Sequence, residues 1–134
     1  MMFTFGKSER LCAQRTIDAL YADGRRLMAF PYSIHWLACP AGTFWPQAQV
    51  LIVAPKRKLH HAVDRNRVKR LTRECYRLHK PELYNFLADN NLQIALSLSY
   101  IHTQELDYAT LNRKYEHGLE LLKNDILQWL GSEK

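Results

Sequence analysis

Arg65, Asn66, Arg67, Lys69, Arg70, Arg73 and Arg77 fall within thirteen positions of one segment, "APKRKLHHAVDRNRVKRLTRECYRLHK", which carries ten Lys or Arg and only two carboxylates, Asp64 and Glu74. Lys56, Arg57 and Lys58 open the same run. Arginine presents a planar fork of donors that matches phosphate geometry, and an amide such as Asn66 can bond a sugar or a base edge. The chemistry available is therefore recognition of a polyanion, held through its phosphates. Acid–base or metal-assisted hydrolysis would need clustered carboxylates, and Asp64 and Glu74 stand ten positions apart.

Val68, Leu71, Cys75 and Leu78 recur at i, i+3, i+7 and i+10, which at about 100° per residue makes one narrow apolar stripe. The spacing predicts a helix docked by that stripe, with Arg65, Asn66, Lys69, Arg70, Arg73 and Arg77 opposite. Asp64 stands at its start as an expected cap, and Pro81 marks its expected end. Like charges on one helix face repel unless an anion occupies the face.

The remaining elements must hold this helix. An amphipathic helix is expected from Ser8 or Glu9 to a stop at Gly24, carrying Leu11, Ile17, Leu20 and Tyr21. "YSIHWLAC" reads as a strand, "PAGTFWPQ" as a turn and "AQVLIVA" as a buried strand ended by Pro55, the two strands forming a hairpin. After the basic helix, "LQIALSLS" supplies a third strand. A last helix runs from about Asp107 to Leu130 on the stripe Leu111, Tyr115, Leu119, Leu122, Ile126 and Trp129. The expected order is α-β-β-α-β-α, an α/β class of the α+β two-layer sandwich kind, in a single domain spanning 1–134 whose basic segment suits a nucleic acid.

Charge is regional within the net +6. Residues 1–81 hold fifteen Lys or Arg against five Asp or Glu, and residues 82–134 hold four against eight. Neither a spanning helix nor a secretory signal pattern is visible, and three scattered cysteines do not form a disulfide framework, so a cytoplasmic protein without membrane attachment is expected. His60–His61 and the pair Cys75 with His79 fall short of a zinc ligand set, so no metal site is expected.

The run "AVDRNRVKRLTRECYR" resembles the signature of the protein subunit of bacterial ribonuclease P, an Arg-Asn-Arg triplet (Arg65, Asn66, Arg67) followed by Lys-Arg-Leu and another Arg. "FTFGKSERLCAQRTIDALYADG" is similar to that family's first helix and glycine stop, so the resemblance covers about residues 3 to 130. It implies a left-handed crossover between parallel strands, against the usual hand. It also implies a protein that is a monomer when free, which assists a catalytic RNA in removing the 5′ leader of precursor tRNA. Mg2+ would be held mainly by that RNA and none by the protein alone.

By the same resemblance Lys56, Arg57, Lys58, Arg65, Asn66, Arg67, Lys69, Arg70, Arg73 and Arg77 would face the ribonuclease P RNA. A cleft between the first helix and the sheet would hold the leader, at Ile17, Tyr21, Ser33 and His35. Ile17 stands where the family has an aromatic. His35 is flanked by Tyr32 and Trp36, and strand alternation sends either His35 with Ser33 or Trp36 with Ile34 into the cleft. "KRKLHHAV" is one residue longer than the family's turn, with His60 and His61 replacing a glycine and an asparagine. The charge alone equally permits an RNA-binding module without a catalytic partner, ribosomal or chaperone-like.

Overall fold

A computed structural model describes residues 7–40, 42 and 47–132; most of the turn expected within 40–47 lies outside them. A short 3-10 helix, Lys7–Glu9, precedes α1 (Gln14–Asp23), β1 (Arg25–Ala29), β2 (Tyr32–Cys39), β3 (Ala48–Val53), α2 (Ala62–Asp89), β4 (Gln93–Tyr100) and α3 (Tyr108–Ser132).

The four strands lie in the order β1-β2-β4-β3. β4 is antiparallel to β2, with Trp36 opposite Leu96, and parallel to β3, with Val50 opposite Leu96. This corrects the expected hairpin: β3 does not pair with β2, because β4 lies between them. The reason is apolar content. Ile94 to Leu98 are all buried, and a strand covered on both faces belongs at the centre of a sheet. β1, antiparallel to β2, was not expected at all.

Alternation divides the sheet. Ile34, Trp36, Ile94, Leu96, Leu98, Tyr100 and Val50 join the main core with Val68, Cys75, Leu83 and Leu87 of α2 and Leu111, Tyr115, Leu119, Leu122 and Ile126 of α3. Ala95 faces the other way and packs with Leu11, Ile17, Leu20, Leu37, Cys39 and Leu51, so α1 covers part of the opposite face.

Three local expectations change. Pro81 lies inside α2, which continues eight residues beyond it to Asp89. A proline inside a helix costs about 3 kcal/mol. Burying Leu83 and Leu87, at 1% and 0% exposure, returns about 1.5–3 kcal/mol each, so packing wins. Asp64 is not the cap: His61 holds that place without a side-chain bond, and Asp64 lies in the first turn, where its charge still suits the dipole.

The first helix begins later than expected, at Gln14. The Leu11 N–H donates to Val50 O at 2.9 Å and Arg10 bridges Val50, so residues 10–13 are drawn out along the edge of β3. Gly24 does end α1, its N–H on Leu20 O at 2.9 Å. Its φ is −74°, so the glycine supplies room rather than a left-handed turn: a Cβ there would stand 2.3 Å from Leu20 O.

Candidate RNA-binding surfaces

Val68 and Cys75 of the expected stripe are buried and Leu71 is half-buried, but Leu78 is 41% exposed, so the stripe stops one turn short; Asn66, Arg70 and Arg73 are exposed on the opposite side. Asn66, Arg67, Lys69, Arg70 and Arg73 line one open concavity with Val63. Lys69 and Arg73 also line a second, with Arg10, Cys12 and the β3 residues Val50 to Ile52. The basic surface thus turns the corner from α2 to the β3 edge. Arg10, which the sequence reading left out, joins it there because the Leu11–Val50 bond holds the backbone against β3.

Other members of the set are already engaged. Arg65 donates from one terminal nitrogen to the carbonyls of Leu59 and His60, both at 2.9 Å, so it clasps the turn that carries Lys56, Arg57 and Lys58. Leu59, 5% exposed, anchors that turn from below, and the Lys58 and Leu59 N–H groups both reach Pro55 O. His60 and His61 are exposed on it. Arg67 donates to Glu105 Oε1 at 3.1 Å. Arg77 donates to both oxygens of Glu74, three residues earlier, and this bond holds the Glu74 carboxyl below its usual range. The exposed cations Arg70 and Arg73, with Asn66 and the half-buried Lys69, form the middle of the face.

The residues expected to hold a single strand lie on the other side of the sheet. Ser33 and His35 face α1, and Trp36 and Ile34 enter the main core, which resolves the alternation left open by the sequence. Tyr21 is 45% exposed. Its hydroxyl shares a 2.7 Å hydrogen bond with Ser97 Oγ, and its ring meets His35 edge-on with centroids 5.0 Å apart. Arg26 Nε donates to Ser33 Oγ at 3.2 Å.

Burial, and secondarily the Arg26 charge, lowers the His35 pKa from its ordinary value, favouring the neutral imidazole. Its Nδ1 is buried and has no hydrogen-bond partner among the described residues. Ile17 is half-buried in the apolar seat of α1, which leaves Tyr21 as the exposed aromatic of that helix. Ser97 and Arg26 were not anticipated. Both sit opposite His35 in the register, Ser97 on β4 and Arg26 on β1, so correct strand pairing would have found them.

Among the described residues no group of three or more His, Cys, Asp or Glu comes together as a metal site. No helix of the described residues is long and apolar enough to cross a membrane.

A four-stranded sheet with a cationic helix on one face and a polar patch edged by an exposed aromatic on the other defines a small α+β protein of the nucleic-acid-binding class. The chain belongs to the ribonuclease P family, whose pattern matches residues 5–123, and its role is that of the protein component in 5′ processing of tRNA, in association with the ribonuclease P RNA. It is 37% identical over 122 residues to the ribonuclease P protein component of Chlorobium phaeobacteroides, covering 90% of this chain and 81% of that protein. The corresponding protein of Porphyromonas gingivalis is 29% identical over 118 residues, covering 87% and 85%.

The fold is shared with the RNase P protein of Staphylococcus aureus, with a TM-score of 0.69 at 19% identity over 87% of this chain and 97% of that one. The RNase P protein from Thermotoga maritima superposes with a TM-score of 0.62 at 21% identity, over 87% and 96%. Family membership thus removes the ribosomal or chaperone-like alternative.

Proposed function

We propose that the chain supplies binding surface and leaves the chemistry to the RNA subunit of ribonuclease P. The α2 face would neutralise phosphates of that RNA, and the Tyr21–His35–Ser33 cleft would hold the single-stranded 5′ leader of precursor tRNA. The observation that carries this reading is the pair of surfaces on opposite faces of the sheet, joined around the β3 edge by Arg10, Lys69 and Arg73. A module binding one RNA needs one surface; a protein that presents a substrate to a catalytic RNA needs two.

The parts suit those tasks. Each phosphate neutralised by Arg or Lys releases counterions, so binding at α2 should weaken with salt by about 0.7–0.9 in log–log slope per contact. In the cleft the exposed Tyr21 ring offers a stacking platform, worth roughly 1 to 3 kcal/mol per base, and Ser97 fixes its tilt. Arg26 and the orphaned His35 Nδ1 offer polar contacts to sugar or phosphate. Mg2+ belongs in this reading to the RNA subunit, where it supplies the hydrolytic chemistry. The free protein is taken to be a cytoplasmic monomer.

The test is reconstitution. The purified protein alone should leave precursor tRNA intact, and a bacterial ribonuclease P RNA with Mg2+ should release the 5′ leader faster at physiological salt when the protein is added. Cleavage by the protein without RNA, or no gain over the RNA alone, would overturn the reading.

A further inference from the structure

Arg67 is the one member of the Arg-Asn-Arg triplet whose guanidinium meets a carboxylate, that of Glu105, at 3.1 Å. The pair is not a fixture of the core: the Arg67 and Glu105 side chains keep 41% and 32% of their exposure. Glu105 comes from the turn between β4 and α3, a different element from the basic helix and 38 residues away in sequence. Its neighbours tie that turn down. The Tyr100 hydroxyl donates to Gln104 O at 2.6 Å, and the half-buried Leu106 packs into the main core. Asp107, two positions further, takes the Thr110 N–H at 2.8 Å and helps start α3; its bonds to Thr110 hold its carboxyl below the usual range, and the Arg67 charge also reaches it, as the weakest of the influences that do so.

A carboxylate and a phosphate offer an arginine fork the same thing, two oxygens sharing negative charge. We propose that Glu105 is an affinity-setting residue that holds the place of an RNA phosphate at Arg67, so that RNA binding there is an exchange of one anion for another. The inference rests on the reading of Arg67 as an RNA contact. Three consequences follow from the exchange. The gain in free energy at Arg67 is the difference between two ion pairs, not the full worth of one. The displaced carboxylate takes up a cation, which cancels part of the counterion release. Arg67 is also presented to the RNA pre-ordered, its rotamer already selected by Glu105.

The experiment measures affinity of the full chain for a bacterial ribonuclease P RNA across a salt series, with Glu105→Gln, Arg67→Ala, the double variant and Asp89→Asn. Asp89, exposed at the far end of the same helix, lies about 33 Å along the axis from Arg67, well beyond the screening length, and controls for net charge. Glu105→Gln should tighten binding by about 1.4- to 5-fold, the range an exposed ion pair is worth. It should also steepen the log affinity against log salt by up to about one unit.

In the Arg67→Ala background the same change should do little. The proposal is overturned if Glu105→Gln leaves affinity unchanged or weakens it, if Asp89→Asn gives an equal gain, or if the gain persists without Arg67. Arg67→Ala that binds RNA as well as the parent would instead remove the underlying reading of Arg67, and the exchange with it. Circular dichroism of each variant establishes that the fold is retained.

Discussion

Lys80 and Glu9 form an ion pair almost wholly inside the protein, at 3% and 6% exposure. The Lys80 ammonium donates to both Glu9 oxygens, at 2.9 and 2.7 Å, and the Tyr84 hydroxyl donates to one of them at 2.6 Å. Replacing Lys80 with Met keeps an unbranched stem one atom shorter and removes the cation, so a buried carboxylate loses the ammonium bonded to both its oxygens. Removing one partner of a buried pair costs about 3–5 kcal/mol, and for a chain of 134 residues that corresponds to a fall in Tm of about 10–18 °C. Urea unfolding followed by far-UV circular dichroism measures it.

The double variant Glu9→Gln with Lys80→Met removes both charges while the amide can still meet Tyr84, and should recover at least half of the loss. A loss below about 1 kcal/mol for the single change, or a double variant no better than the single, would refute the reasoning: the pair would then be acting as a solvated one. The expected functional effect is secondary. Glu9 holds the segment that places Arg10 on the β3 edge, so the single variant should also bind RNA more weakly.

Tyr21→Ala should weaken precursor tRNA binding by about 5- to 150-fold and mature tRNA much less, whereas Tyr21→Phe, which keeps the ring and loses only the Ser97 bond, should retain most affinity; equal losses for precursor and mature tRNA would rule out the leader cleft. Arg65→Ala should cost about 1–2 kcal/mol of stability through its two carbonyl bonds and change the salt slope less than Arg70→Ala, which a comparison of the two slopes decides. Asp125 accepts Arg25 at 3.0 and 2.9 Å and Trp36 Nε1 at 2.8 Å, and the Arg25 bond holds its carboxyl below the usual range. A lowered carboxyl pKa gives stability that is present above the unfolded value and lost as pH falls through the folded one. Asp125→Asn should therefore cost about 1–2 kcal/mol at pH 7, with the gap to the parent closing below about pH 4 in acid titrations.

What could be read from sequence was whatever repeats along one element. The stripe Val68, Leu71, Cys75 and Leu78 and the stripe of α3 are periodic, and both fall where the spacing puts them except at Leu78, which is exposed. β1 was missed because "RRLMA" is five residues long, mostly exposed at the sheet edge, and so has no alternation to detect. The Pro81 boundary failed because a local cost was weighed without the burial of Leu83 and Leu87 beyond it. The hairpin failed because adjacency in sequence says nothing about a later strand inserting between two earlier ones.

In the site, the residue types on α2 were legible and their present partners were not. Arg65 and Arg70 look alike in the sequence; one clasps two carbonyls and the other meets solvent. The set Ser33 and His35 could be narrowed to one of two faces by alternation, but only packing of Trp36 against Trp129, with centroids 5.7 Å apart, chose between them.

The place of β4 between β2 and β3 also sets a timetable for the growing chain. β1 and β2 can zip together as soon as both have been made, since Ala29 and Tyr32 are the last pair of their ladder. β3 has no such neighbour: Ala48 must wait for Ile94. At about 5–20 residues per second, synthesis of the stretch between them takes roughly 2 to 9 s. Throughout that interval a strand of "AQVLIV" has no ladder partner except the single Arg10–Val50 bridge, while α2, made in the meantime, is the first surface able to shelter it. The sheet is thus completed last at β4, and only after the whole cationic helix has been made.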